Sequence, residues 1–121
     1  MKLITIVGAH KVIDDLANTN EIGAHLAYWM TKFVIATQSE FEFYQESLRK
    51  LFEKYGVEKT DTGITVAEEH RDKLLEEIAK LDDTDAQDPG IRFSLAELSK
   101  ELKISPKQMF YLMDFIDEDE G

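Results

Sequence analysis

Three histidines, His10, His25 and His70, are the side chains best suited to acid–base or metal chemistry in this sequence. None has a second ligand at a metal-binding spacing, and Glu69-His70 is only a fragment of the H-E-x-x-H zinc motif. His70 falls on the apolar stripe of a predicted helix, where a hydrogen-bonded packing role is expected. The histidines therefore predict no catalytic and no metal site.

The sequence also offers no good candidate for a nucleophilic residue. The 121 residues include no cysteine, which excludes disulfides, thiolate metal sites and cysteine nucleophiles. Gly8 belongs to no phosphate-binding glycine pattern, and the serines and threonines are best explained as helix caps. We therefore expect a protein without catalytic residues, without a cofactor and without enzymatic activity.

An acidic run at residues 82–88 has carboxylates at alternating positions, as a calcium-binding loop does. If the loop starts at Asp83, however, its sixth position is Asp88 instead of glycine and its twelfth is Ser94 instead of glutamate. We expect a solvated acidic linker. Under an alternative hypothesis, considered below, the same carboxylates would form a binding face: Asp82, Asp83, Asp85 and Asp88.

The charge balance limits the possible partners. Twenty-five acidic against fourteen basic residues give a net charge of −11, which repels nucleic-acid phosphates. The apolar run at residues 3–7 is too short for a signal peptide, and no stretch approaches the ~20 apolar residues of a membrane helix. We expect a cytoplasmic protein that binds neither nucleic acid nor membrane.

The elements that must position any site are mainly helical. Residues 1–20 predict a short strand at 3–7, which is rich in β-branched residues, followed by a short helix. Residues 21–56 form the long helix, because they lack proline and repeat apolar residues in steps of three and four. Asn18 or Asn20 could cap its start, and Gly56 fits its end.

A second helix is predicted at residues 65–82, after a tight turn at Asp61-Thr62-Gly63 that could close a small hairpin. Thr65 and Glu68 have the spacing of a capping box, and the helix should pack antiparallel on the long helix. Its buried stripe should consist of Ala67, His70, Leu74, Ile78 and Leu81.

Residues 91–116 predict two short helices, 95–102 and 106–116, followed by an acidic tail at 117–121. Capping boxes at Ser94 with Glu97 and at Ser105 with Gln108 mark the two helix starts. The whole chain therefore predicts one mainly α domain: a long helix packed on a second helix, a C-terminal short helix pair and at most a small β element.

The C-terminal pair resembles the outline of a DNA-reading helix-turn-helix. Its second helix is nevertheless apolar on nearly all sides, and residues 91–121 carry a net charge of −3. Such a helix is expected to be covered on both sides, either by the core or by a partner.

The aromatic residues suggest a binding surface. Neighbouring residues in a helix point about 100° apart, so Tyr28 with Trp29, and Phe41 with Phe43, cannot all face one partner helix. Some should reach a second surface, where exposed aromatics are typical of protein binding or of a homodimer along the long helix. The predicted partner-binding residues are Tyr28, Trp29, Phe41, Phe43 and Tyr111.

A Met-Lys-Leu start, a long helix with glutamate, leucine and tyrosine at residues 40–55, a Thr62-Gly63 turn and two short helices before an acidic tail form a pattern. The pattern resembles an uncharacterised family of small proteins encoded by tailed phages and prophages of Gram-positive bacteria. That family has no established activity, so the resemblance implies a phage accessory protein and assigns no functional residue.

Two functions from different classes follow. The first is a non-enzymatic protein–protein interaction protein, a phage assembly or accessory factor in the host cytoplasm, with a phage structural protein or a host protein as partner. The alternative is an acidic anti-defence inhibitor, such as an anti-CRISPR protein, that imitates DNA towards a host nucleic-acid-binding protein; residues 57–90 hold eleven acids and four bases. A helix-turn-helix DNA-binding regulator is less favoured.

Overall fold

The computed structural model describes residues 1–117. Helices dominate these residues, and the predicted mainly α fold is confirmed. In chain order the elements are α1 (Leu3–Thr19), α2 (Ala24–Lys54), β1 (Glu58–Thr60), β2 (Gly63–Thr65), α3 (Glu68–Asp82), β3 (Phe93–Ser94), α4 (Leu95–Glu101), α5 (Pro106–Leu112), a 3₁₀ turn (Met113–Phe115) and β4 (Ile116–Asp117).

The strand predicted at residues 3–7 is wrong, because these residues form the first turns of α1. The buried residues of α1 include Leu3, Ile6, Ile13 and Leu16, at spacings that put them on one helical face. A lone strand there would leave its backbone groups unpaired. The helix satisfies them internally and packs closely along α2, so tertiary packing overrides the β propensity of Ile4 to Val7.

The predicted long helix is confirmed as α2, and Gly56 ends it as predicted, with a φ of +63° directly after the C-cap residue Tyr55. The predicted N-caps, Asn18 and Asn20, are wrong. The cap residue is Gly23, without a side-chain cap. Glu101 of α4 binds the cap residue itself, because its carboxylate oxygen accepts a hydrogen bond from the Gly23 backbone N–H at 2.6 Å. Asn18 and Asn20 instead donate to carbonyls in the last turn of α1, those of Asp14 and Leu16.

The hairpin and the second helix also form as expected. β1 and β2 pair antiparallel around the Asp61-Thr62 turn, and α3 runs antiparallel to α2, since Asp82 meets Tyr44 and Glu77 meets Lys54. The Thr65 capping box is absent: Ala67 is the cap residue and has no side-chain cap bond. Thr65 ends β2, where its hydroxyl donates to the Glu58 carbonyl at 3.4 Å.

The C-terminal pair is present with a shorter second helix than predicted. α5 ends at Leu112 instead of residue 116, and the chain continues through the 3₁₀ turn into β4, which pairs parallel with β3. The Ser105 and Gln108 capping box is confirmed in full. At α4 the Ser94 hydroxyl accepts from the Glu97 N–H, while the Glu97 carboxylate contacts His25. Most of the predicted acidic tail, residues 118–121, lies outside the described residues.

The main core lies among α1, the first half of α2, α4 and α5, around Phe33, Leu98 and Phe115. A smaller cluster joins Leu3 and Val7 to Tyr44. We call residues 45–81, which comprise the second half of α2, the hairpin and α3, the arm. Tyr55 and Leu74 are its only buried residues, so the arm is held by far less apolar packing than the rest.

Candidate protein-binding surface

A group of exposed apolar side chains lies beside the contact between α1 and α5. Phe110 and Tyr111 on α5 are 69% and 38% exposed, and Met113 in the following turn is 64% exposed. Together with Ile4, Thr5 and Asp114 they line an open depression of about 390 Å³, which we call the α1–α5 groove. Large apolar side chains grouped in this way are typical of surfaces that bind other proteins.

Gly8 allows α5 to approach α1 at this groove. A Cβ atom at Gly8 would lie 2.7 Å from Cδ1 of the Tyr111 ring, which is closer than packed carbon atoms come. Gly8 itself is buried within α1. The missing side chain therefore lets the Tyr111 ring lie against the helix backbone, which fixes one wall of the groove.

The predicted partner-binding residues do not form one surface. Tyr111 lines the α1–α5 groove, whereas Phe41 is half-buried and stacks on His10 with ring centroids 4.4 Å apart. Tyr28 and Phe43 are 55% and 57% exposed on α2, but fifteen residues of helix separate them by about 22 Å. Trp29 is less exposed and meets the Tyr28 ring edge-on.

Sequence reasoning missed Phe110 and Met113, which are the most exposed residues of the groove. It also missed Ile35, which is 68% exposed on α2. The signal was the apolar character of the second C-terminal helix on nearly all sides, which indicates two covered faces without saying which is covered within the chain.

His10 is a structural residue between α1 and α2. Thr37 donates its hydroxyl hydrogen to the Phe33 carbonyl at 2.7 Å, so His10 Nδ1, 2.8 Å from the same hydroxyl oxygen, must be the donor to it. Burial lowers the pKa of His10 from its ordinary value of 6.5, although the Asp14 carboxylate opposes this effect. The Thr37 hydroxyl is thus committed to the helix backbone and cannot serve as a nucleophile.

The other two histidines, His25 and His70, have different contacts from those of His10. His25 Nδ1 is 2.8 Å from Glu97 and so links α2 to α4. His70 is exposed and lies against the Tyr55 ring, so its predicted place on the buried stripe of α3 is wrong. Of the other predicted stripe residues, Leu74 is buried, Ile78 and Leu81 are half-buried, and Ala67 is exposed. Within residues 1–117, no three His, Asp or Glu side chains are grouped so that they could hold a metal ion.

Each carboxylate of the proposed acidic face has a partner within the chain. Asp82 accepts a hydrogen bond from the Tyr44 hydroxyl at 2.7 Å. Burial, and to a smaller extent the Asp82 carboxylate, raises the pKa of Tyr44 to about 12. Asp83 lies 3.0 Å from Lys2 Nζ. Asp85 lies 3.1 Å from the Met1 amine.

Asp88 closes the acidic loop. It accepts a hydrogen bond from Arg92 Nη1 at 3.0 Å and from the Gly90 N–H at 2.8 Å. These bonds, the Arg92 bond foremost, lower the pKa of Asp88 to about 2. The loop also bonds the start of α1, since the Leu3 N–H donates to the Thr84 carbonyl. Asp83 and Asp85 therefore tie the loop between α3 and β3 to the start of the chain, whereas the bonds of Asp88 lie within the loop and Asp82 links α3 to α2.

Within residues 1–117, no helix is both long and apolar enough to cross a membrane. Comparison of this chain with protein-family models, with curated proteins and with solved structures finds no match.

Proposed function

We propose that this protein is a non-enzymatic protein-binding protein, an assembly or accessory factor of a phage, and that it docks a protein partner in the α1–α5 groove. The observation that carries the proposal is the exposure of Phe110, Tyr111 and Met113 beside Ile4. Aromatic and methionine side chains are enriched at protein interfaces, and a few buried anchors, tyrosine among the commonest, supply most of the binding energy. The outward face of α5 presents them where a DNA reader would present hydrogen-bond donors.

The test compares protein captured by the tagged chain from phage-infected Gram-positive cells, washed at low and at high salt. Replacing Phe110 or Met113 with serine should weaken capture of the same partner by about tenfold or more, because each change removes a large apolar side chain that would be buried in the interface. Neither change should alter thermal stability, since both side chains already face solvent.

Ile64→Ser is the matched control, because Ile64 is 57% exposed on the hairpin, outside the groove. It should bind like the unmodified chain. A partner that is retained equally by the Phe110, Met113 and Ile64 variants would contradict docking in the α1–α5 groove.

The acidic anti-defence inhibitor is the second candidate. Its support is charge: residues 40–90 carry fifteen acidic and seven basic side chains, a net charge of −8. Against it, Asp82, Asp83, Asp85 and Asp88 are already paired within the chain. This candidate requires binding to a basic partner that high salt abolishes, whereas docking through the groove should withstand salt.

A further inference from the structure

The first half of α2 is apolar on two opposite faces. Leu26, Met30 and Phe33 are fully buried in the main core. On the other side, Tyr28 and Ile35 are 55% and 68% exposed, and with their neighbours they line a shallow depression of about 460 Å³. We call the exposed residues Ala24, Tyr28, Thr31 and Ile35 the outward α2 face.

The spacing of the outward α2 face favours a helix as its occupant. Its four residues follow one another in steps of four, three and four. Residues at these steps form a continuous seam along a helix, which is the pattern by which one helix packs lengthwise against another.

The order of side-chain sizes along the seam makes the face complementary to itself. If two copies of α2 pair antiparallel about a point between residues 29 and 30, Ala24 of each copy faces Ile35 of the other, and Tyr28 faces Thr31. Each large side chain then meets a small one, as close packing requires. A parallel pair would place Tyr28 against Tyr28 and leave a gap between two alanines.

The charge distribution favours the same arrangement. Residues 22–39 contain no Asp or Glu, so two such segments meet without repulsion between carboxylates. Lys32, the one Lys or Arg among them, lines the same depression and lies over the Tyr28 ring. Residues 40–90, which follow directly along α2, carry a net charge of −8. An antiparallel pair places these two acidic regions at opposite ends, whereas a parallel pair would place them side by side.

We propose that a second copy of this chain docks antiparallel on the outward α2 face, forming a two-fold symmetric dimer. Such a dimer is isologous, because each copy contributes the same four residues. The seam is only about 17 Å long, too short by itself to bury the ~800 Å² that each partner of a stable interface typically buries. The dimer is therefore a concentration-dependent one.

The first test is the mass in solution, measured by sedimentation or light scattering over a concentration series. The mass of the unmodified chain should rise towards twice the monomer mass, and salt should promote this rise because it screens the repulsion between two chains of charge −11. Ile35→Glu should stay monomeric. Ile64→Glu, which adds the same charge at a similarly exposed position, should behave like the unmodified chain apart from a slight added repulsion.

The second test fixes the orientation and benefits from a chain without cysteine. Ala24→Cys and Ile35→Cys variants, when mixed and treated with a short thiol-reactive cross-linker, should form mixed dimers. Ile35→Cys alone should not cross-link, because an antiparallel pair separates its two copies by about 16 Å. Cross-linking of each variant only with itself would establish a parallel pair and overturn the proposal.

A chain that stays monomeric at every concentration and salt level, or an Ile35→Glu variant that dimerises normally, would also overturn it. Neither result affects docking in the α1–α5 groove, which uses different residues and is tested with a different partner. Conversely, loss of partner capture on changing Phe110 leaves the dimer intact.

Discussion

At the scale of single residues, the chain's polar groups serve packing more than chemistry. His10, the one buried histidine of residues 1–117, donates to Thr37 and stacks on Phe41. Its place in the core could have been predicted, since Leu3, Ile6, His10 and Ile13 share one helical face. A strand assignment to residues 3–7 breaks that periodicity at Gly8. Position 8 has no room for a side chain because the Tyr111 ring lies against it, and only the tertiary structure shows this contact.

His10 gives the protein a specific dependence on pH. Because burial holds its pKa below 6.5 in the folded state, the unfolded chain takes up the proton first as the pH falls. The free energy of unfolding should therefore be unaffected by His10 above about pH 6.5 and should decrease below it. His10→Gln, which cannot titrate, should remove this part of the decrease in denaturant titrations at a series of pH values.

The comparison isolates His10 because the two other histidines, His25 and His70, are exposed and are the same in both proteins. An unchanged pH dependence in the His10→Gln variant would show that its imidazole is not protected from protonation.

At the scale of elements, sequence reasoning located α2, the hairpin, α3 and the C-terminal pair, because each has a strong periodicity or turn signal. It failed at the N-terminal caps of α2 and α3. Thr65 and Glu68 have the spacing of a capping box, but β2 extends through Thr65 and uses its hydroxyl in the hairpin. At α2 the N–H of the cap residue Gly23 is bonded by Glu101, seventy-eight residues away, and no local pattern contains that information.

Substitution by alanine distinguishes the capping box that forms, at Ser105, from the predicted one that does not, at Thr65. Ser105→Ala should lower the free energy of unfolding by about 1 kcal/mol, since it removes a capping box that is present in full. Thr65→Ala should cost much less, because Thr65 caps no helix and its 3.4 Å bond is weak. Denaturant titrations of the two variants check this, and equal losses would contradict the assignment of Ala67 as the cap of α3.

At the scale of the whole molecule, packing is unequal. The main core draws on α1, the first half of α2, α4 and α5, whereas the arm buries only Tyr55 and Leu74 and leaves Ile64 and Leu75 more than half exposed. Local stability follows buried apolar contact. The sequence could not reveal this imbalance, because periodicity identifies apolar faces without telling which of them are covered.

We therefore expect the arm to open first. In native-state hydrogen exchange, the backbone amides of the hairpin and α3 should exchange well before those of α1 and the first half of α2, whose protection should approach the free energy of global unfolding. Exchange at one common rate throughout residues 1–117 would show that the arm and the main core unfold as one unit.

The fluorescence of Trp29 can report on the surroundings of the first half of α2. It is the chain's only tryptophan, it is partly exposed, and its ring lies 5.3 Å edge-on from that of Tyr28, at the border between the main core and the outward α2 face. Indole emission depends on the polarity around the ring, so intrinsic fluorescence reports on this one border without any attached dye. The residues that line the α1–α5 groove include no tryptophan. A change in the emission wavelength of Trp29 therefore distinguishes occupancy of the outward α2 face from occupancy of the groove.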